Sequence, residues 1–349
     1  MKEKTIKDIT YLLNERNLTA SVIRKKEYAG DIIIPKTVVD SNMSYRVTSI
    51  GDSAFEGCSS LSTISIPNSV TSIEHAAFRG CSSLTAISIP EGVKSIRENT
   101  FYGCSSLVTI TIPNSVISIR KGAFCGCFSL PTITIPDSVT RIGDYAFEGC
   151  SSLSTISIPN SVTSIGDSAF EDCSSLMDIT IPDGITSVGK NVFAHCSSLT
   201  AISIPKNVKE ISTGYEVRVE EIFIGLHYYR CEIDKYTDFH YYKCEYPIGA
   251  FHGCSSLTTI IVDHNNPIYD SRENCNAIIK RSTSTLILGC ENTIIPNSVT
   301  SIGKDAFEHC SSLTAITFKG TIEQWKKIML YSQNWEPTFV IHCTDGDIS

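Results

Sequence analysis

Histidine stands directly before cysteine at two places in the chain, and these pairs are the first candidates for chemistry. His195 precedes Cys196, and His309 precedes Cys310. An imidazole beside a thiol can serve as the base that activates a cysteine nucleophile. Glycine is the usual residue at this place before the regularly spaced cysteines, so a tolerated substitution at an exposed corner is the simpler interpretation. The chain also contains no phosphate-binding glycine loop, H-E-x-x-H or G-x-S-x-G motif. We therefore expect no catalytic residue and no enzymatic activity.

A second group of possible ligands lies between residues 212 and 249. Cys231 and Cys244 are 13 residues apart, with His240 between them. Zinc sites usually combine closely spaced pairs of ligands such as C-x-x-C, and this spacing does not provide them. We predict no metal and no cofactor. A disulfide between Cys231 and Cys244 remains an alternative if the protein is exported, because oxidising compartments permit such bonds.

Most of the 15 cysteines follow a strict periodicity. Seven of them are separated by 23 residues each, and Cys254 and Cys310 occupy the same place in later copies. The seven are Cys58, Cys81, Cys104, Cys127, Cys150, Cys173 and Cys196. A free cysteine is a small side chain that is usually buried, so we expect a column of buried, reduced thiols. A period of roughly 20 to 50 residues is typical of a solenoid, in which stacked units bury one another.

The unit around each cysteine reads L-x-x-I-x-I-P-x-x-V-x-x-I-x-x-x-A-F-x-x-C-S-S. In its first complete copy Ile64 and Ile66 are two residues apart, which places both on one face of a short strand. Pro67 ends that strand, because proline has no backbone N–H to donate. We expect Val70 and Ile73 to face inward from the opposite wall as a second short strand. One unit cannot bury its own apolar face, so the units must stack.

This repeat resembles the BspA-like leucine-rich repeats of bacterial proteins. The phrase I-P-N-S-V-T-S-I-G-D-x-A-F-E-G-C-S-S-L, or a close variant, occurs at residues 66–84, 158–176 and 295–313. The resemblance covers most of the chain, and it extends to the segment 266–288 and to the carboxy-terminal end. It implies a surface-exposed or secreted protein, often from gut or oral Bacteroidetes, that acts in adhesion and binds host proteins or glycoproteins.

The predicted fold is one repeat solenoid, a right-handed leucine-rich-repeat superhelix of mostly short parallel β-strands with turns and irregular segments on its convex side. Residues 1–60 are expected to form an amino-terminal cap and a first degenerate repeat, with Ile32–Pro35 as the repeat strand. Residues 61–317 form the repeat array, which contains insertions at about 212–249 and 263–293. Residues 318–349 form the carboxy-terminal cap.

Three local structures are predicted outside the regular repeats. Ile6, Ile9, Leu12 and Leu13 recur at helical spacing and favour a short helix within residues 2–15, although strands are commoner here in the proteins that the repeat resembles. Residues 277–279 and 286–288 flank a polar turn and predict a hairpin. Residues 322–330 have an apolar side with helical spacing and predict an amphipathic helix.

Charge and hydropathy exclude several kinds of partner. The net charge is -8, whereas nucleic acids and anionic membranes attract basic surfaces. No apolar run reaches the roughly 18 residues that a membrane-spanning helix needs. The charged start of the chain is not followed by an apolar stretch, so no secretory signal is expected. A cytoplasmic location therefore remains the alternative to the cell surface or secretion.

The outward positions of the predicted strands form a surface of small hydroxyl groups with almost no charge. Those we select as candidate partner contacts are Thr109, Thr111, Thr132, Thr134, Thr155 and Ser157. Threonine suits a half-exposed strand for structural reasons alone, so β-propensity and solubility are one explanation. The other is a concave surface that binds a protein or a glycan, as solenoids often do.

The insertion at 212–249 is rich in aromatic residues. It holds nine of the chain's 30 Phe, Tyr and Trp residues, where a proportional share is about three. The candidate contacts are Tyr215, Tyr228, Tyr229, Tyr236, Tyr241 and Tyr242. Tyrosine is favoured in binding surfaces because it offers a large contact area at a low entropy cost. The same residues could instead form a small core for the insertion itself.

These observations predict a non-catalytic adhesion or binding protein. Its partner would be a protein or glycoprotein, with host extracellular matrix as one source, and the chain itself would be a monomer. The alternative is an intracellular scaffold for protein interactions.

Overall fold

Each 23-residue unit contributes a short strand to each of two parallel walls, which enclose a continuous apolar core. The computed structural model describes residues 1–24, 28–213, 229–233, 240–244, 249–310, 312–331 and 339–348. The predicted repeat solenoid of short parallel strands is confirmed. Adjacent turns are paired in register, so that Ile110 lies beside Ile87 and Ile133 beside Ile156.

The first wall carries the longer strands, and we call it the first sheet. Its strands in the array are Gly30–Ile33, Leu61–Ser65, Ala86–Ser88, Thr109–Thr111, Thr132–Thr134, Thr155–Ser157, Ala201–Ile204 and Thr259–Val262. Isolated bridges from Asp178 to Thr155 and to Ala201 continue the sheet through the repeat between them. The strand at Gly30–Ile33 pairs in parallel with Leu61–Ser65, so residues 32 and 33 belong to a strand of the first sheet and residues 34 and 35 follow it.

One proline interrupts the first sheet. The proline is Pro131, and its equivalents in the neighbouring repeats are Val108 and Ser154. Each of these two donates its backbone N–H to the preceding turn: Val108 to Thr85 O at 2.9 Å, and Ser154 to Pro131 O at 3.0 Å. Pro131 has no N–H, so it cannot donate to the turn before it. The ladder accordingly ends at Thr111 and begins again at Thr132.

The opposite wall, which we call the second sheet, consists of two-residue strands. They are Ser72–Ile73, Ser95–Ile96, Ser118–Ile119, Arg141–Ile142, Ser164–Ile165, Ser187–Val188, Glu210–Ile211 and Ser301–Ile302. The isoleucines and Val188 point into the core and the alternate residues face outward. The predicted second strand of each repeat is thereby confirmed.

A column of phenylalanine rings runs through the core. Eight rings, from Phe55 to Phe251, stack nearly parallel with centroids 5.2–5.8 Å apart. Tyr28 lies on the amino-terminal end of the stack, with its ring centroid 4.8 Å from that of Phe55. The nine column cysteines are buried beside the rings, as predicted, and form no disulfide.

Seven thiols of the column, from Cys81 to Cys254, each join two turns. Cys81 Sγ donates to Phe55 O at 3.2 Å, and Cys104 Sγ donates to Phe78 O at 3.2 Å. The same contact recurs up to Cys254 Sγ and Phe193 O, which are 3.1 Å apart. Burial raises the pKa of these thiols, as for Cys104, whose pKa rises to about 12. The cysteine therefore acts as a neutral donor that satisfies a buried carbonyl.

The amino-terminal helix prediction is wrong, because residues 2–14 form a β-hairpin. Its strands are Lys2–Ile6 and Ile9–Asn14, and further strands at Thr19–Val22, Thr37–Asp40 and Met43–Ile50 complete the sheet. Ile9, Tyr11 and Leu13 are buried at a period of two, which is the period of a strand. Lys7 and Asp8 both have positive φ, the conformation of a tight two-residue hairpin turn.

The predicted hairpin of the second insertion is confirmed and divides the core into two clusters. The strands Ile278–Lys280 and Thr285–Leu288 pair antiparallel. The strand Tyr269–Asp270, which precedes a short 3-10 turn at Arg272–Asn274, pairs antiparallel with Ile278–Lys280. Ile278 and Leu288 pack against the long array, whereas Ile279 and Leu286 pack against the carboxy-terminal core.

The carboxy-terminal part ends with the predicted helix and a small sheet. The helix spans Ile322–Tyr331 and buries Trp325 and Ile328. The sheet contains Ile294–Ile295, Ala315–Phe318, Val340–Cys343 and Gly346–Ile348. Within the described residues no helix is long and apolar enough to cross a membrane.

Candidate binding surface

The outward residues of the first sheet form two straight files along the stack. In-register pairing places Thr132 beside Thr155 and Thr134 beside Ser157, and the same register relates Thr109 to Ala86 and Thr111 to Ser88. We call these positions the hydroxyl face. The first file is Asp31, Thr63, Ala86, Thr109, Thr132, Thr155, Asp178, Ala201 and Thr259, and the second is Ile33, Ser65, Ser88, Thr111, Thr134, Ser157, Thr180, Ser203 and Ile261.

All six residues selected from this face are exposed. Thr109, Thr111, Thr132, Thr134, Thr155 and Ser157 stand outward, while the isoleucine between each pair points into the core. They lie in three successive turns. The structure thus gathers them on one surface, interrupted only where Pro131 breaks the backbone ladder.

Charge is sparse on the hydroxyl face. Between Thr63 and Ser203 its files contain one ionisable residue, the exposed Asp178. At the amino-terminal end Asp31 accepts hydrogen bonds from Thr63 Oγ1 at 2.7 Å and Ser62 Oγ at 3.1 Å. These hydroxyls lower the pKa of Asp31, since they stabilise the charged form. The surface is therefore almost uncharged, with an anion at each of two places.

Apolar side chains border the hydroxyl face. In each repeat the residue just before the first file is usually serine or threonine. In two repeats it is Val108 or Met177, whose surfaces are 48% and 51% exposed. Pro131 is exposed in the turn next to Val108. Ile261 lies in the second file and is 55% exposed. Exposed apolar groups on a polar surface are the kind of feature that a protein partner covers.

The aromatic insertion leaves and rejoins the array through a narrow neck. Thr213 and Gly249 form an antiparallel bridge, and Ala250 N donates to Ser212 O at 2.9 Å. Beyond the neck the described backbone is an antiparallel hairpin of Tyr229–Ile233 and His240–Cys244. Tyr229, Tyr241 and Tyr242 belong to this hairpin. The other selected tyrosines, Tyr215, Tyr228 and Tyr236, lie outside the described residues.

The hairpin register bears on the alternative disulfide. Cys231 is opposite Tyr242, and Cys244 is opposite Tyr229, so the two cysteines are diagonal and not directly paired. Diagonal positions of a hairpin are about 7–8 Å apart, beyond the usual Cα separation of a disulfide. This register does not favour the bond. Among the described residues no three ligating side chains are arranged to hold a metal ion.

The two histidine–cysteine pairs have the wrong electrostatics for a nucleophile. Burial raises the pKa of Cys196 well above its usual value and that of Cys310 to about 12. Burial also lowers the pKa of His195, and that of His309 to about 4. A reactive pair needs a thiolate beside an imidazolium, which is the opposite arrangement.

The expectation of exposed corners holds for only one of these histidines. His195 is exposed and has φ 59°, the left-handed conformation that glycine adopts in most other repeats. His309 is 96% buried, with 4% of its surface exposed. It lies beside Ile287 and Leu288 of the hairpin at 278–288, which replaces a regular turn at this point and covers the ring.

Sequence reasoning missed a group of ionisable side chains at the neck of the insertion. His252 Nδ1 is 3.0 Å from Glu308 Oε2, and this contact raises the pKa of His252 and lowers that of Glu308. The rings of His195 and His252 meet edge to face with centroids 5.1 Å apart. These residues occupy adjacent positions in successive repeats, so an alignment of the repeats would have placed them together.

The sequence matches the family described as BspA type leucine rich repeat region at residues 35–140, 117–216 and 287–338, in six copies. These ranges cover more than half of the chain, which therefore belongs to this family. No curated protein matches the chain.

Solved structures of bacterial leucine-rich repeat proteins are similar to it. One from Bacteroides ovatus has 27% sequence identity and a TM-score of 0.56, over 91% of this chain and 65% of that chain. One from T. pallidum has 30% identity and a TM-score of 0.39, over 57% of this chain and 80% of that chain. A leucine rich cell surface protein from Faecalibacterium prausnitzii has 23% identity and a TM-score of 0.33, over 97% and 99%. The chain spans 65% of the length of the B. ovatus protein, whose fold it shares.

The family sets the general class of function. Leucine-rich repeat proteins bind other proteins, and this family and its structural neighbours are typically non-enzymatic. BspA-like members are typically surface-associated bacterial proteins. The chain shares the repeat of this family and the fold of these neighbours.

Proposed function

We propose that the protein is a non-catalytic adhesion or binding protein of the cell surface or of the secreted fraction, acting as a monomer. Its partner is a protein or glycoprotein, and host extracellular matrix is the source to test first. The hydroxyl face and the aromatic insertion are its two contact regions. The observation that carries the proposal is the nearly uncharged hydroxyl face, bordered by Val108, Pro131 and Met177.

The hydroxyl face supports this proposal because it combines rigidity with adaptable polar groups. Its side chains stand on strands that are held in register by the buried columns, so little order is lost when a partner binds. Hydroxyl groups can donate and accept hydrogen bonds, while Val108, Pro131 and Met177 offer apolar contact. Thr109, Thr111, Thr132, Thr134, Thr155 and Ser157 are the proposed contacts on this face.

The aromatic insertion supports it by position and composition. Its neck at Thr213 and Gly249 lies within the array, between the repeat of Cys196 and that of Cys254, and insertions in repeat proteins often belong to a binding face. The proposed contacts of the insertion are Tyr215, Tyr228, Tyr229, Tyr236, Tyr241 and Tyr242.

An intracellular scaffold is the second candidate function. The observation that favours it is that the 13 cysteines outside the insertion hairpin form no disulfide, and 12 of them are buried. Free thiols suit a reducing compartment. Fractionation of the native organism, with antibody labelling of intact cells, distinguishes the two: labelling of intact cells supports the surface role, and labelling only after lysis supports the scaffold.

The test of the binding role removes the insertion at its neck. In the regular repeat, two residues, Asp167 and Ser168, span the place that the insertion occupies. Residues 213–249 are therefore replaced by Asp-Ser, which lets Ser212 and Ala250 keep their places in the stack. The melting temperature reports folding, and surface plasmon resonance on fibronectin, laminin and collagen reports binding.

We expect this shortened protein to remain folded and to lose matrix binding. A matched control carries Thr163→Lys, a change at an exposed threonine away from both contact regions. If the shortened protein binds as well as the control, the insertion is not a contact region. If the intact protein binds none of the matrix proteins, the matrix proposal is wrong.

A further inference from the structure

An arginine interrupts a file of serines on the second sheet. Parallel pairing places Arg141 between Ser118 and Ser164, and Ser118 Oγ lies 2.9 Å from Ser95 Oγ in the turn before. The equivalent residue in most other repeats is serine. Arg141 is exposed, so its guanidinium is open to solvent on a file that otherwise carries serine hydroxyls.

A second file of residues lies two positions further along the chain in each turn, and it changes from arginine to glycine at the turn that contains Arg141. It contains Arg97 and Arg120, followed by Gly143 and Gly166. A Cβ at Gly143 would lie 2.6 Å from the backbone N of Lys121, so the stacked turns leave no room for a side chain there. Long side chains on one side and bare backbone on the other create a step in the surface.

This step forms an open groove of about 550 Å³, which we call the arginine groove. Its lining includes Ser118, Arg120, Lys121, Arg141, Gly143 and Ser164. The volume is within the roughly 300–1,000 Å³ range of small-molecule sites. The groove is on the second sheet, so it is separate from the hydroxyl face.

The charges around the groove leave one cation without a partner. Arg120 Nη1 is 3.0 Å from Glu98 Oε1, and the Lys121 ammonium is 5.3 Å from the ring centroid of Tyr145. Among the described residues, no carboxylate lies within ion-pair distance of Arg141. Two carboxylates line the groove, from Glu98 and from Asp144, whose Oδ1 accepts the N–H of Asp167 at 3.1 Å.

This arrangement selects the kind of anion. Arginine binds a carboxylate with two parallel hydrogen bonds, and Ser118 and Ser164 offer hydroxyls to neighbouring oxygens. Glu98 and Asp144 repel a ligand that carries many negative charges, such as a polyanion or an acidic peptide. An acidic sugar, such as a uronic or sialic acid, carries a single carboxylate among its hydroxyl groups and satisfies both conditions.

We propose that the arginine groove binds the carboxylate of an acidic sugar residue in an otherwise neutral glycan. Arg141 holds the carboxylate, Ser118 and Ser164 bind hydroxyls of the same or the adjacent ring, and the glycine floor admits the ring against the backbone. This site goes beyond the proposed function, because it uses neither the hydroxyl face nor the aromatic insertion.

The test uses the full chain, with sialyllactose as the acidic ligand, lactose as its neutral counterpart and hexaglutamate as a polyanionic peptide. Binding is followed by saturation-transfer NMR and titration calorimetry. Arg141→Ser installs the residue that most other repeats carry, so it is expected to fold. Arg97→Gln is the matched control, since it removes an outward arginine of the same sheet from outside the groove.

We expect saturable binding of sialyllactose and weaker binding as salt is added, since salt screens the ionic contact. Arg141→Ser weakens binding roughly tenfold or more, the effect of losing a charged hydrogen-bonded contact. Arg97→Gln stays within about twofold of the unmodified protein, in line with a substitution outside the site.

Four results would overturn the proposal. They are absence of saturable sialyllactose binding at millimolar ligand, equal binding of lactose, tighter binding of hexaglutamate, and equal affinity of Arg141→Ser and the unmodified protein. None of these results depends on matrix binding by the other two regions.

Discussion

The buried column and the exposed face are built from the same turns but follow different rules. Eight phenylalanine rings, from Phe55 to Phe251, keep nearly the same spacing and orientation throughout. The hydroxyl face on those turns varies among threonine, serine, alanine, aspartate and isoleucine. Stacking requires identical inner residues, because each ring must fit its neighbours on both sides. The outer residues have no such constraint and are free to serve a partner.

Replacing one ring should give the largest effect on stability. Phe124→Ala removes a fully buried ring that stacks against Phe101 and Phe147. We expect the free energy of unfolding to fall by about 3–5 kcal/mol, because the change loses apolar contact and leaves a cavity. Urea denaturation measures it.

The matched control for the ring is Thr132→Ala in the next turn, on the exposed face. We expect it to change stability by no more than about 0.5 kcal/mol. Equal effects of Phe124→Ala and Thr132→Ala would contradict the distinction between the two regions.

The buried histidine should make stability depend on pH. Burial lowers the pKa of His309 to about 4, whereas an unfolded histidine titrates near 6.5. Below about pH 6.5 the unfolded chain therefore binds a proton that the folded chain does not. The stability contributed by neutral His309 is fully present above that pH and is lost as the pH falls towards 4. The loss is at most about 3.5 kcal/mol, since the two pKa values differ by about 2.5 units and each unit corresponds to about 1.4 kcal/mol per proton.

His309→Gln tests this prediction by removing the titrating group. Denaturation between pH 7.5 and 4.5 should show a smaller decline than in the unmodified protein, and the exposed His264→Gln should match the unmodified protein. His252 works in the opposite direction, because Glu308 raises its pKa, so only the difference between proteins is informative. An unchanged decline in His309→Gln would show that His309 is not responsible.

Much of the array could be predicted because stacking forces a strict pattern. The 23-residue spacing identified the buried thiols, and the alternation around Ile64 and Ile133 identified the strands of the first sheet. The antiparallel strands at 278–288 and the helix at 322–331 also followed from local periodicity. In these places a residue and its copies in adjacent turns share one environment, so the same residue type recurs in the sequence at each copy.

The sequence was less informative where a residue has no equivalent in the next turn. Ile9, Leu12 and Leu13 suit a helix as well as a strand, and the sheet formed with Thr19–Val22 decides between them. Tyr28 lies outside the repeat frame, so its place on the ring stack depends on the tertiary fold. The burial of His309 depends on a hairpin that replaces a regular turn.

The candidate contacts show the same division. The exposure of the six selected serine and threonine residues followed from the alternation of inward and outward side chains along each strand. By contrast, the break at Pro131 and the step beside Arg141 emerge only when adjacent turns are placed in register, because each depends on what the neighbouring turn contributes.

The most direct test of the central claim changes the exposed face without disturbing the buried column. Thr132→Lys places a cation in the middle of the hydroxyl face, and Thr163→Lys places the same cation elsewhere on the array. Both proteins are compared with the unmodified chain by melting temperature and by surface plasmon resonance on the matrix proteins. We expect the three proteins to have equal melting temperatures. We expect only Thr132→Lys to weaken matrix binding, by about tenfold or more, because a change of this size follows the loss of one important contact in an interface. Equal matrix binding by Thr132→Lys and Thr163→Lys would contradict the assignment of binding to this face.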